Sequence, residues 1–318
     1  MSFDFYGIDG YDRAISVVSD VPTISQVKKV FQEAPLSYMD PQTKRSSDTP
    51  PTILRNFIRR QDDLDEDDVV LASHLSTQKF KNLLIQLKYW NGPASIAVYI
   101  KNEKDIDTFY SFTEKKRQQL VNVSFHLVME KTDMQYPHNI LRNVAMETIE
   151  TEYFLAMDVD LIPMPEGCHD GILEIIRKNA TRAKNSGNKK TLFVLPAFSL
   201  FPKENQTHAF EEMLPKTKNK VIQKANNREM SQFWLRLFPP GHASTDYDKW
   251  YNLTEDDERE MDFYDVNLNH YASLNYEPYV VGKTLGIPRY LEGTKYTLRP
   301  ISCYLYVATF LFSHSFIF

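Results

Sequence analysis

Two aspartates, Asp158 and Asp160, interrupt the run YFLAMDVDLIPMP (Tyr153 to Pro165), in which mostly apolar residues lead straight into the acids. Side chains alternate along a strand with a period of two, so both carboxylates are predicted to leave on one side while Val159 points away. Like charges held together call for a cation, a set of donors or protonation. A Mn²⁺ or Mg²⁺ ion held by one or two carboxylates and by phosphate oxygens answers that need, and it neutralises a departing diphosphate. Asp158 and Asp160 are therefore the candidate metal ligands. The plain alternative is a strand end with two solvated acids, which is the commoner case for an isolated Asp-x-Asp.

The elements that must position the pair form a regular series from Val69 onward. VVLAS reads as a strand, STQKFKNLLIQLKYW as an amphipathic helix with Ser76 as a candidate cap, and SIAVYI as a strand after an Asn91-Gly92-Pro93 turn. EKDIDTFYSFTEKKRQQL, VSFHLVM and NILRNVAMETIE continue as helix, strand and helix up to YFLAMDVD. Alternating strands and helices predict a doubly wound α/β layer, with ligands at the carboxyl ends of mostly parallel strands. His74 ends the first strand, where a nucleotide edge or a polar-core role both fit, and Arg142 with Asn143 lies on the helix before the acidic strand. Beyond it, GILEIIRKNATRA reads as a helix, TLFVLPAF as a strand, and the aromatic stretch from Phe238 to Tyr290 as a loop-built face.

Composition restricts the class of partner. The net charge is -5, from 37 Lys and Arg against 42 Asp and Glu, which argues against nucleic acid as a partner. Cys168 and Cys303 are too few for a disulfide framework. The N-terminus has neither a basic nor an apolar leader region, whereas sequons at Asn122, Asn179, Asn205 and Asn252 would matter only in a secretory lumen. Residues 1–68 read as an N-terminal extension or stem, with DDLDEDD as a solvated acidic run. The apolar end, CYLYVATFLFSHSFIF, is shorter than the ~20 residues a membrane span needs.

Taken jointly, ASHLSTQKFKNLLIQLKYWNGPASIAVYI, YPHNILRNVAMETIETEYFLAMDVDLIP, VLPAF, GHASTDYDKWYN and YEPYVV resemble the LARGE-type and β-1,4-glucuronyltransferase glycosyltransferases of family 49. That resemblance implies a GT-A fold over residues 69–293, a UDP-sugar donor, Mn²⁺, inversion, and a membrane-anchored enzyme of the Golgi lumen. It implies Asp158 and Asp160 as the metal pair, and Arg142 and Asn143 as residues flanking the donor nucleotide. GHASTDYDKWYN falls on the acceptor side. A carboxylate must take the acceptor hydroxyl proton in a direct displacement, and Asp246 is the first candidate, with a turn or helix cap as its equal alternative. Glu277 is the reserve base. His242, Tyr247 and Trp250 either stack on a sugar or pack, with packing favoured.

After Tyr290 the family pattern, with its late metal-holding histidine, is not followed. His314 stands alone in an apolar stretch, so residues 294–318 are expected to form a divergent tail and the domain to be C-terminally incomplete. Three functions follow. The first is transfer of a glucuronyl or N-acetylglucosaminyl unit from UDP to a glycan on a glycoprotein. The second is a catalytically impaired GT-A module that partners another glycosyltransferase or a glycan. The third, a nucleotidyltransferase, leaves the acceptor-side likeness unexplained.

Overall fold

Strands that are apolar on both faces must be covered on both faces, and the computed structural model shows how. It describes residues 22–34, 51–130, 136–185, 191–201, 210–235, 237–252, 263–265, 276, 278–286, 289–290, 306–310 and 316–317. Along the chain these form α1 (Ile24–Glu33), β1 (Thr52–Ile58), β2 (Val69–Ser76), α2 (Phe80–Trp90), β3 (Ala94–Ile100), α3 (Glu103–Lys115), β4 (Val123–Met129), α4 (His138–Glu147) and β5 (Tyr153–Ala156). There follow β6 (Pro163–Met164), α5 (Cys168–Asn185), β7 (Thr191–Leu195), β8 (Phe198–Leu200), α6 (Lys218–Asn226), β9 (Met230–Gln232), α7 (Tyr247–Asn252), β10 (Phe263–Asp265), β11 (Tyr279–Lys283), β12 (Tyr306–Phe310) and β13 (Phe316–Ile317).

The main sheet has the order β1-β4-β3-β2-β5-β11-β7-β12-β10. β4, β3, β2 and β5 are mutually parallel, and β11 is inserted antiparallel between β5 and β7. Chain order runs outward from β2 to β4 and then returns to the other side of β2 with β5, so the topological switch point lies between β2 and β5. In open α/β sheets that is where a ligand crevice opens beyond the carboxyl ends.

Period-two alternation divides the core. Val69, Leu71 and Leu75 of β2 pack with Leu83 of α2, Phe109 of α3 and Ile172 of α5. Val70 and Ala72 turn the other way and meet Leu141 and Val144 of α4. Helices cover both faces, and the sheet is the doubly wound α/β architecture of the GT-A type expected above.

Several boundaries differ from expectation. α1 and β1 lie inside the segment read as a stem, yet Val27 and Phe31 enter the main core and β1 pairs antiparallel with β4. The sheet therefore begins before residue 69. The acidic run is not simply solvated: Arg177 Nε of α5 donates to Asp67 at 2.7 Å, and Asp68 accepts from the Val69 N–H at 2.6 Å and bonds His169 Nε2 at 2.7 Å. Ser76 makes no capping bond. The tail supplies β12, whose backbone runs parallel to β7, and β13, which pairs with β6. Cys168 is buried, while Cys303 and His314 lie outside the described residues.

At the end of α2, Asn91 takes a left-handed φ of 55° and its N–H closes on the Leu87 carbonyl. The chain then passes so close to α5 that a Cβ on Gly92 would sit 2.4 Å from His169 Cγ. The imidazole cannot swing away, because Asp68 and Asp170 hold its two nitrogens. Gly92→Ala is expected to destabilise the fold by about 1–3 kcal/mol through overpacking; a thermal midpoint equal to wild type would contradict this close approach.

Candidate active site at the carboxyl edge of the sheet

β5 stops at Ala156, two residues short of the first acid. The Leu161 N–H donates to the Asp158 carbonyl at 3.1 Å, so Asp158 to Leu161 form a turn and the strand period does not reach Asp160. Each carboxylate is anchored to a different helix. Arg142 Nη2 of α4 donates to both oxygens of Asp158, at 3.0 and 3.1 Å, and His74 Nε2 bonds Oδ1 at 3.1 Å. A neutral imidazole that donates from Nε2 accepts at Nδ1, where the Tyr136 hydroxyl lies at 2.9 Å. Burial holds that hydroxyl protonated by pushing its pKa up. Burial also pushes the Asp158 carboxyl up, but Arg142 and the His74 hydrogen bond outweigh it and hold the group ionised far below the usual carboxylate range.

Asp160 belongs to α2. Lys79 Nζ and Asn82 Nδ2 both donate to its Oδ1, at 2.8 and 2.7 Å, while the side chain stays 59% exposed. Gln86, fully buried, donates through Nε2 to the Asp158 and Leu161 carbonyls at 2.9 and 3.0 Å and so closes the turn. Sequence reasoning missed Lys79, Asn82 and Gln86; the usable signal was a glutamine on the apolar stripe of an amphipathic helix.

The expectation of a converging metal pair thus changes. Asp158 is already compensated by a guanidinium, and among the described residues no cluster of three His, Cys, Asp or Glu side chains could cage an ion. The exposed carboxylate of Asp160 has the chemistry to hold a hard divalent cation whose remaining ligands are phosphate oxygens and water, which is how Mg²⁺-type ions are commonly bound. The residues fit an ion that arrives with a diphosphate.

Other expected residues are redistributed. Asn143 is buried, and its amide pairs reciprocally with the Tyr290 backbone, donating to the carbonyl at 3.0 Å and accepting from the N–H at 2.8 Å. It fixes a chain segment, and through it the Tyr290 ring, which lies 5.5 Å from the Arg142 guanidinium. Asp246 takes a left-handed φ of 52°, and its Oδ1 accepts from the Lys249 N–H at 3.1 Å, so it caps α7 with its side chain exposed. Tyr247 and Trp250 are buried and pack on Phe198. His242 is buried beside Phe233 and Tyr279, and burial pushes its pKa down to about 4. These three aromatics pack and present no sugar platform. Glu277 lies outside the described residues.

Register places α7 relative to the acids. Val280 of β11 faces Ala156 on one side and Val194 on the other, so Asp158 and Pro196 leave the sheet at the same level. Tyr247 Oη donates to the Ala197 carbonyl at 2.8 Å, which seats that hydroxyl two strands, or about 10 Å of sheet width, from the β5 end.

The family model described as "Glycosyl-transferase for dystroglycan" matches residues 68–135 and 114–313, reaching into the tail. The chain is 29% identical over 219 residues to the human "Xylosyl- and glucuronyltransferase LARGE1", covering 68% of this chain and 26% of the relative. It is 30% identical over 193 residues to the Danio rerio protein of that name, covering 60% and 24%. A Dictyostelium discoideum "Glycosyltransferase-like protein gnt14" is 32% identical over 189 residues, covering 59% and 27%. The chain spans about a quarter of the length of these curated relatives. Among solved structures, S. aureus TarS 1-349 in complex with UDP-GlcNAc has a TM-score of 0.41 at 12% identity, covering 78% of this chain and 58% of that one.

Proposed function

The chain belongs to the family described as glycosyltransferases for dystroglycan, and from that premise we propose that it transfers a sugar from a UDP-sugar to a glycan on a glycoprotein, with inversion. The relatives' names speak of xylosyl and glucuronyl transfer; a glucuronyl unit is our first choice of donor, with xylosyl and N-acetylglucosaminyl as the others to test. The sequons and the family resemblance support the Golgi lumen as the place of work. No helix among the described residues is long and apolar enough to cross a membrane.

The observation that carries this reading is the His74–Asp158–Arg142 cluster at the β2/β5 switch point. A carboxylate kept ionised at any working pH accepts hydrogen bonds and gives no proton, so Asp158 is suited to donor hydroxyls. Asp160 would hold Mn²⁺ or Mg²⁺, which when bound supplies Lewis-acid stabilisation of the leaving diphosphate. Asp246 takes the acceptor proton while the acceptor oxygen bonds to the sugar carbon, and the bond from that carbon to the diphosphate oxygen breaks, its electron pair leaving with UDP. A second reading, binding without turnover, draws on the use of Asp246 as a helix cap.

The experiment assays the full chain with the three UDP-sugars and Mn²⁺, beside Asp246→Asn. Asparagine caps a helix as well as aspartate does but cannot serve as the base. Turnover is expected to fall about 10²-fold or more with an unchanged thermal midpoint. Equal turnover would confine Asp246 to capping, and absence of transfer from every donor would favour the second reading.

A further inference from the structure

Asn82 and Gln86 are four residues apart on one face of α2, Lys79 ends the 3-10 turn that leads into that helix, and all three grip the acidic turn. Their grips differ in kind. Gln86 is immobile: its amide orientation is fixed because Nε2 must face two carbonyls, and its Oε1 is buried without a partner. Asn82 is neutral and short. Lys79 alone carries charge, on a flexible stem that is 48% exposed, and its ammonium sits on the same Oδ1 that Asn82 uses.

A divalent ion coordinated by Asp160 would lie within a few ångströms of that ammonium, and two cations so close repel. The ion must therefore evict Lys79. An ammonium with three rotatable donors on a long stem is well matched to phosphate oxygens, and the diphosphate arrives with the ion. We propose that Lys79 is the resident counter-ion of Asp160, displaced by the divalent cation and then a ligand of the donor diphosphate. The proposal rests on the reading of Asp160 as the metal-side carboxylate. Its consequence is that the ion alone binds poorly, because it must displace a paired charge with nothing to receive it, while ion and nucleotide together bind well. Gln86 and Asn82 hold the turn still through the exchange.

The test is calorimetry on the full chain, titrating Mn²⁺ alone and then UDP in saturating Mn²⁺, for wild type, Lys79→Gln and Lys79→Met. Both variants are expected to bind Mn²⁺ alone at least about threefold more tightly, in the range set by losing one exposed ion pair, and UDP with Mn²⁺ at least about threefold more weakly. High salt should narrow the first difference, since the pair is exposed. Unchanged affinities in the variants, with normal Mn²⁺-dependent UDP binding in wild type, would overturn the role of Lys79 and leave the metal reading intact. Wild type that binds UDP equally with and without Mn²⁺ would remove the metal reading, and this inference with it.

Discussion

Asp158→Asn is expected to lower sugar transfer about 10²- to 10³-fold, the scale of losing one preorganised electrostatic partner, with only a modest fall in thermal stability. The reasoning starts from occupancy. Asp158 takes two bonds from Arg142 and one from His74, and asparagine of the same shape can still accept from the guanidinium. What it loses is the charge, which leaves Arg142 mostly buried beside Tyr290 without its counter-ion. His74 loses the acceptor that selects its tautomer, so the hydrogen bond from Tyr136 is no longer specified. Removing Arg142 at the same time tests the account, because residues in one network couple. Asp158→Asn with Arg142→Gln should regain stability relative to the single variant and remain inactive. If the single variant turns over within about threefold of wild type, Asp158 is a structural counter-ion alone.

The sequence disclosed the parts of this site whose signals are local. The strand–helix series from Val69 to Ala156 follows from periodicity, and with it the carboxyl edge where the acids lie. Partners at the site depend on rotation of helices about their axes, which the sequence does not state. Asp158 and Asp160 look equivalent in MDVDL because a period of two treats them alike; the turn closed by Gln86 breaks that equivalence. Asn143 sits next to Arg142, but adjacent helical residues point about 100° apart, so one reaches Asp158 and the other is absorbed by Tyr290. TILRNFI joins the sheet as β1 although it reads as extension, because an edge strand borrows its stability from β4. The insertion of β11 is likewise non-local: YVVGK is short, and only its neighbours β5 and β7 determine that it runs antiparallel between them.

Acid should unfold the chain through His126, well away from the acidic turn. This histidine of β4 is fully buried, and burial, with Arg55 nearby, pushes its pKa down to about 3. Its Nδ1 accepts the Asn56 N–H at 2.8 Å, at an irregularity in β1 where Asn56 takes a left-handed φ of 49°. Nε2 faces the hydroxyls of Ser95 and Thr148 at 2.9 and 3.0 Å, so the neutral ring is satisfied on both sides and a second proton has nowhere to go. The sign follows from linkage: between pH 6.5 and about 3 the unfolded chain binds a proton that the native state does not, so stability falls as pH falls. At about 1.4 kcal/mol per unit, the loss reaches roughly 3 kcal/mol by pH 4, a large part of the 5–15 kcal/mol typical of a whole domain. His169 acts with the opposite sign. Although its burial works against protonation, Asp68 and Asp170 raise its pKa, so its contribution is present below about 6.5 and fades as pH rises through the raised value. Stability should therefore peak near neutral pH. His126→Gln is expected to cost about 1–3 kcal/mol at pH 7.5, where a buried hydrogen bond is lost, and to flatten the acid limb, so that denaturant midpoints of variant and wild type converge near pH 5. Parallel curves down to pH 4 would show that another group sets the acid limb.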